Sequence, residues 1–333
     1  MNLGSLAIDT FKLGANQADK IMLGTSEVWR DGIGLPTGEN LALLQDLSNS
    51  SYMNASVLRE NLCVVTALRD PEVTGIDITD PTNMLVLSTE DLSSEAVNIF
   101  ADGESDCLSV ARAANLTAVT VVDTNLTVGV DYNLSVIGID GVQTNNGYYV
   151  ISSIGGCIIL DTDKVQVGAF QSLPSFESHL CTVDNIVWGS SFNRINSVDV
   201  SDPVAPIIGS YHQVATTITS LFLSDNNILF VAYDFGIEQY DVSIPSSAPI
   251  LLGGVSTGLT DDHGITVVGD IAFIRSGQVL MSYNIADPTN MTLIDTVTFV
   301  GDLGEVEIQL NPLIKGLTAF LLYERNFISV DIT

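Results

Sequence analysis

The chain has 333 residues, with 11 Lys and Arg against 40 Asp and Glu, a formal charge of −29, and 46% hydrophobic residues. A nucleic-acid groove needs clustered cations to displace counterions from phosphate, and four scattered lysines (Lys12, Lys20, Lys164, Lys315) make no basic run. Nucleic acid and anionic lipid are excluded as expected partners, and no stretch approaches the roughly 20 apolar residues of a membrane-spanning helix.

The opening residues, MNLGSLAIDT, have neither a cationic region nor an apolar stretch of secretory-leader length, so export by that route is not expected. Next come two copies of one short pattern, FKLGANQADK (11–20) and IMLGTSEVWR (21–30), ten residues apart. They predict two small hairpins turning at Gly14 and Gly24, with Leu13, Ile21, Leu23, Val28 and Trp29 as their apolar residues. Two such hairpins bury too little to stand alone. They need another chain or the body of the protein to pack on, with Trp29 and Ile21 as anchors; plugging one end of the body is the plainer alternative. DGIGLPTGE (31–39) reads as a Gly/Pro linker. Its glycines do not follow a strand and open a helix, so a nucleotide loop is not indicated. Residues 1–36 are thus one unit and 37–333 another.

From residue 37 onward one sentence recurs: an apolar pair, an acid, then a small polar turn often ending in Pro. The copies are GIDITDP, VVDTN, ILDTD, SVDVSDP, QYDVSIP, SYNIADP and SVDIT, anchored at Asp77, Asp123, Asp161, Asp199, Asp241, Asn284 and Asp331. Their intervals of 46, 38, 38, 42, 43 and 47 residues fit the period of a four-stranded propeller blade. The clearest unit, 216–254, reads as strand ITSLFLS, tight turn Asp225-Asn226-Asn227, strand ILFVAYD, strand IEQYDVS and outer strand PILLGGVST. Turn chemistry and β-branched content support each strand, and the prolines keep to loops because they cannot donate to a central ladder. Residues flanking the anchor are apolar, so period-two spacing puts them on one face and the acid on the other. A carboxylate repeated seven times is better explained as a turn cap than as a catalyst.

The C-terminus, FISVDIT, is a third strand with no fourth after it, while NLALLQDLS (40–48) resembles a fourth strand with no blade before it. Pairing the two closes the ring and removes both free edges. The fold expected is therefore all-β: a seven-bladed propeller of four-stranded antiparallel blades, closed by the N-terminal strand. The unit at 84–140 is the least regular, notably ESDCLSVARAAN (104–115), and leaves six or eight blades open. The D-[VI]-[ST]-D-P turn, its preceding apolar strand and the following P-x-x-x-G strand resemble the LVIVD-type propeller repeat, well in four units (75–84, 197–209, 239–254, 282–291). That resemblance implies a β-propeller and no particular activity. The Leu-Gly hairpins ending in Glu-Val-Trp (27–29) resemble a short module at the start of tailed-bacteriophage virion proteins.

Chemistry is sparse. His179 (ESHLCTV) and His263 (DDHGITV) each precede a first strand and are placed at the channel mouth, two units apart, as loop caps rather than metal ligands. His212 is expected on the surface of an outer strand. Nucleophile and metalloprotease motifs are missing, and the acid pairs are too numerous to single out a glycosidase dyad. Cys63, Cys107, Cys157 and Cys181 lack zinc-ligand spacing and read as buried free thiols. The six Asn-x-Ser/Thr sequons, beginning at Asn49, Asn54, Asn115, Asn125, Asn133 and Asn290, read as turn chemistry. No cofactor is expected; calcium stays open at Asp102-Gly103-Glu104-Ser105-Asp106, which lacks the full spacing of a dedicated loop.

The function expected is structural, not enzymatic: a virion protein of a tailed phage, made in the host cytoplasm and anchored to other virion proteins through residues 1–36. The propeller would be displayed in multiple copies as a platform for host adhesion, on a surface glycan or protein. A stand-alone protein-binding propeller is the second reading, and a channel-mouth hydrolase or lyase the third.

Overall fold

The computed structural model describes strands at 12–13, 16–17, 20–23 and 26–30, and residues 36–333 apart from 49–51, 60, 69, 104–105, 112–113, 123–124, 154–155, 171–178, 225, 261, 300–310 and 324–325. Near the start, Lys12–Leu13 pairs with Asn16–Gln17, and Lys20–Leu23 with Ser26–Arg30, Ile21 opposite Trp29. These are the two expected hairpins. Gly14 and Gly24 lie outside the described residues.

The rest is seven antiparallel sheets, each with the strand order a propeller blade requires. Blade 1 is Tyr52–Arg59, Leu62–Leu68, Glu72–Asp77 and Leu85–Asp91. Blade 2 is Ala96–Asp102, Asp106–Ala111, Asn115–Val122 and Asn125–Asn133. Blade 3 is Gly138–Gln143, Tyr149–Ser153, Gly156–Leu160 and Gln166–Phe170. Blade 4 is Leu180–Val183, Ile186–Ser191 and Arg194–Asp199, its outer edge split into Ile207–Ile208 and His212–Gln213. Blade 5 is Ile218–Leu223, Ile228–Tyr233, Gly236–Asp241 and Ile250–Ser256. Blade 6 is His263–Val268, Ile271–Ser276, Val279–Asn284 and Thr292–Thr298. Blade 7 is Leu313–Lys315, Thr318–Tyr323 and Asn326–Asp331, with Ala42–Ser48 as its outer strand.

No central core exists in such an arrangement. The apolar side chains gather in seven wedges, one between each pair of neighbouring blades. Trp188 is buried in the wedge between blades 4 and 5. Phe320 and Phe327, stacked with centroids 5.7 Å apart, fill the wedge between blades 7 and 1.

The repeated acid caps a turn. Oδ1 of Asp77, Asp161, Asp199, Asp241, Asn284 and Asp331 each accepts the backbone N–H two residues on, from Thr79, Asp163, Ser201, Ser243, Ala286 and Thr333, at 2.8–3.1 Å. Blade 2 departs from the expected pattern. Asp123 lies outside the described residues, and the buried flanks of the repeat fall at Val119 and Val121, so Thr120 occupies the anchor place. The corrected intervals there are 43 and 41 rather than 46 and 38. The polar VVDTN turn imitated the anchor three residues too late.

Beyond the acid, the turns at Pro81, Pro203, Pro245 and Pro288 each send a backbone carbonyl against the preceding blade. Ser329 Oγ of blade 7 donates to Pro81 O of blade 1 at 2.5 Å, and Ser197 Oγ of blade 4 to Pro245 O of blade 5 at 2.6 Å. A Cβ on Gly168 or Gly253 would stand 1.8 Å from Pro203 O or Pro288 O respectively. Ser282 and Ser329 stand at register shifts between the third and outer strands, and the same shift recurs at Gly75/Ile76, Ile159/Leu160 and Gln239/Tyr240. A bulge re-aims the residue beside it.

The N-terminal segment reproduces this whole device. Ala42 through Ser48 pairs with Asp331 through Asn326 with the same bulge as the other blades. Ahead of that strand, Gly38 takes the place of the turn proline. Its carbonyl accepts from Ser282 Oγ of blade 6, and Leu41 N donates to Asp295 Oδ2 of that blade at 2.8 Å. The equivalent bonds at the next seam are Ser329 to Pro81 O and Met84 N to Gln45 Oε1. Leu41 and Met84 are both buried. The ring is thus closed by a turn and a strand, not by a strand alone.

Candidate functional site: the axial ring

The first strands line the axis. Their ladders place Ala55, Asn98, Asp140, His179, Ser220, Gly264 and Asn311 at one level of the ring, one from each blade in order. Register shifts at Met53/Ala55, Ala96/Asn98, Gly138/Gly141 and Ile218/Ser220 bend these strands where they approach the axis.

Asp140 is the centre of one half of this ring. Its Oδ1 accepts Gly141 N at 2.7 Å and the Asn98 side-chain amide of blade 2; its Oδ2 accepts Leu180 N of blade 4 at 2.6 Å. One carboxylate therefore ties three blades together. Three donors favour the charged form, but removal from water outweighs them and pushes the carboxyl up to about 6. Cys157 and Cys181 lie near it, and burial raises both thiols. Thiols so raised are protonated and poor nucleophiles. All four cysteines are free.

Asn311 organises the other half. Its Oδ1 accepts Ile265 N of blade 6 at 3.0 Å and the Ser220 hydroxyl of blade 5, while its amide donates to Leu221 O at 3.3 Å. Thr266 Oγ1 donates to Pro312 O at 2.5 Å. The segment entering blade 7 thus lies across the first strands of blades 5 and 6 and takes up axial space.

The two channel-mouth histidines are placed differently from one another. His263 is fully buried at the first residue of blade 6. Thr257 Oγ1 is 2.6 Å from its Nε2, Thr219 Oγ1 of blade 5 donates to its carbonyl at 2.7 Å, and its N–H donates back to that oxygen at 3.1 Å. His179 precedes the first strand of blade 4, its carbonyl accepting Ser190 N at 3.2 Å. Burial lowers the His179 imidazole to about 4, so it is neutral at pH 7. Blade 5 stands between them; His263 joins its blade to blade 5, while the bond of His179 stays within blade 4. His212 is half-buried, not a free surface residue: its ring meets Tyr240 of blade 5 edge-on at 5.0 Å.

At the opposite end of the first strands sits Asp102, the start of the acidic loop left open for calcium. Its carboxylate is 3.0 Å from Lys164 Nζ and accepts the Tyr149 hydroxyl. Gly103 N donates to Gln143 Oε1 at 3.0 Å, and the Asp106 carbonyl accepts the Arg59 guanidinium. Glu104 and Ser105 lie outside the described residues. A protein cation thus already holds the loop's first carboxylate. Among the described residues no group of three His, Cys, Asp or Glu is arranged to hold a metal ion.

The hairpin residues Leu13, Ile21, Leu23, Val28 and Trp29 lie on the paired strands described above. Sequence reasoning missed Asn98, Asp140 and Asn311. Asp140-Gly141 inside a strand was the available signal, since Gly in a strand often marks a bulge.

The class defined by this architecture is the seven-bladed β-propeller. No family model matches the chain, and no curated protein matches it. Among solved structures it is similar to a functionally unknown protein from Desulfotomaculum acetoxidans DSM 771, with a TM-score of 0.58 and 11% identity over 76% of this chain and 98% of the other. At that identity the likeness concerns the fold alone.

Proposed function

We propose that the chain is a non-enzymatic binding platform displayed on a tailed-phage particle, held through residues 1–36 and presenting its propeller to a host-surface glycan or protein. The observation that carries this reading is the continuity between hairpins and closure. The segment that completes the ring, 38–48, comes next in the chain after the paired strands at 12–13, 16–17, 20–23 and 26–30. Whatever holds the hairpins is therefore tied through the chain to the outer strand of blade 7. The axial polar groups support a structural role, since Asn98, Asp140, Ser220, His263 and Asn311 are engaged in joints between blades.

The test is a chain lacking residues 1–36, co-expressed with the remaining virion proteins. On this reading the truncated ring folds but is absent from purified particles. Incorporation at the full-length level would remove the anchoring role and favour a stand-alone binding propeller.

A further inference from the structure

The outer strand of blade 1, Leu85–Asp91, is exposed along its length. None of its seven residues is buried and only Ser88 is half-buried, whereas the uninterrupted outer strands of blades 5 and 6 each keep three half-buried residues. Three consecutive apolar side chains, Leu85, Val86 and Leu87, are 51%, 44% and 40% exposed. The strand pairs with Glu72–Asp77 on its inner side. Its neighbour Asn125–Asn133 has its own ladder with Asn115–Val122. A long apolar strand with a free edge is a template for another strand.

The bulge at Gly75/Ile76 leaves Leu87 without an opposite residue; Leu85, Ser88 and Glu90 stand opposite Asp77, Gly75 and Val73 on one face, and Val86, Thr89 and Asp91 opposite Ile76, Thr74 and Glu72 on the other. The apolar half is followed on both faces by an exposed acid, Glu90 or Asp91. The chain as a whole has 40 acidic residues and 11 basic ones, so a second copy would bring like charge to this edge. We propose that this edge docks an extended, basic segment of a partner protein, which adds as a fifth strand of blade 1. Apolar residues of that segment would cover Leu85 on one face or Val86 on the other, and its Lys or Arg would face Glu90 or Asp91. Main-chain bonds supply affinity in such strand addition, and the side chains supply selectivity. The inference rests on the binding-platform reading but not on the particle, so it can fail while the anchoring test succeeds.

The experiment uses the full chain and a synthetic nine-residue peptide of alternating Val and Lys, with a Val/Glu peptide as control. The Val/Lys peptide is expected to bind, to slow amide exchange across 85–91, and to lose at least tenfold in affinity between 50 and 300 mM salt. L85K/V86K, at exposed positions that leave folding intact by thermal melt, should abolish binding. E90K/D91K should transfer binding to the Val/Glu peptide. Binding that ignores either variant, or no binding of the Val/Lys peptide, would overturn the proposal. So would concentration-dependent self-association that protects 85–91, since the occupant would then be a second copy.

Discussion

The rim turns and the axial ring hold the same blades together by opposite means. At the rim, Asp77, Asp161, Asp199, Asp241, Asn284 and Asp331 cap an N–H two residues away, the same Asx oxygen recurring at the same place. At the axis, Asn98 meets Asp140 across 42 residues and Ser220 meets Asn311 across 91, and the residues at that level follow no repeat. Local bonds can be copied by duplicating a repeat. Axial bonds cannot, because seven copies of one carboxylate at that level would repel each other in a low-dielectric space. The ring therefore combines a repeated outside with an individual inside.

The largest test of that contrast is at the one seam where rim and axis are supplied from distant parts of the chain. Deleting residues 1–48 removes the outer strand of blade 7 and the Gly38 turn, exposing the third strand at Asn326–Asp331. A loss of about 5 kcal/mol or more is expected, seen as a lost cooperative transition by circular dichroism. Deleting only 1–36 keeps Gly38 and should leave that transition in place.

Next in size is the axis itself. Asp140→Asn turns an amide toward Leu180 N–H and strands a donor, which costs about 1–3 kcal/mol. It also changes the pH dependence. The Asp140 carboxyl lies at about 6 when folded against 3.8 ordinarily, so the native state binds its proton more tightly than the unfolded chain. The stability linked to it is complete below about pH 4 and is lost as pH rises through 6. Between pH 7 and 4 the parent protein should therefore gain stability relative to Asp140→Asn, by chemical denaturation at each pH. Equal slopes would show that this carboxylate is not coupled to folding.

The rim supplies one effect of similar size and two smaller ones. Gly253→Ala drives a Cβ into Pro288 O, and overpacking of that kind costs about 1–3 kcal/mol. Ser329→Ala removes one hydroxyl bond to Pro81 O, for about 1 kcal/mol. Asn284→Ala, at an exposed turn cap, should cost least, about 0.5 kcal/mol. If Asn284→Ala proved as costly as Asp140→Asn, the distinction between a tolerant rim and a demanding axis would be lost.

Much of the ring was legible in the residues. The unit at 216–254 matches its expected strands nearly end for end, and the pairing of 40–48 with the C-terminus follows from two incomplete blades. Blade 2 was harder to read because Thr120 stands where an acid was expected, and Val119 and Val121 alone mark the place. His212 was misplaced because its cover, Tyr240, comes from the next blade. The role of Asp140 was invisible for the same reason: its partners are Asn98 and Leu180, 42 and 40 residues away.

Sequence alone determined the strands, the turn caps, the period and the two matching ends, because each depends on neighbours within a few residues or on strand alternation. Tertiary structure decided which carbonyl enters which bulge, that Gly38 could replace a proline turn, and which polar groups meet at the axis. Those depend on distances between blades, and no local pattern encodes a distance that closing the ring creates.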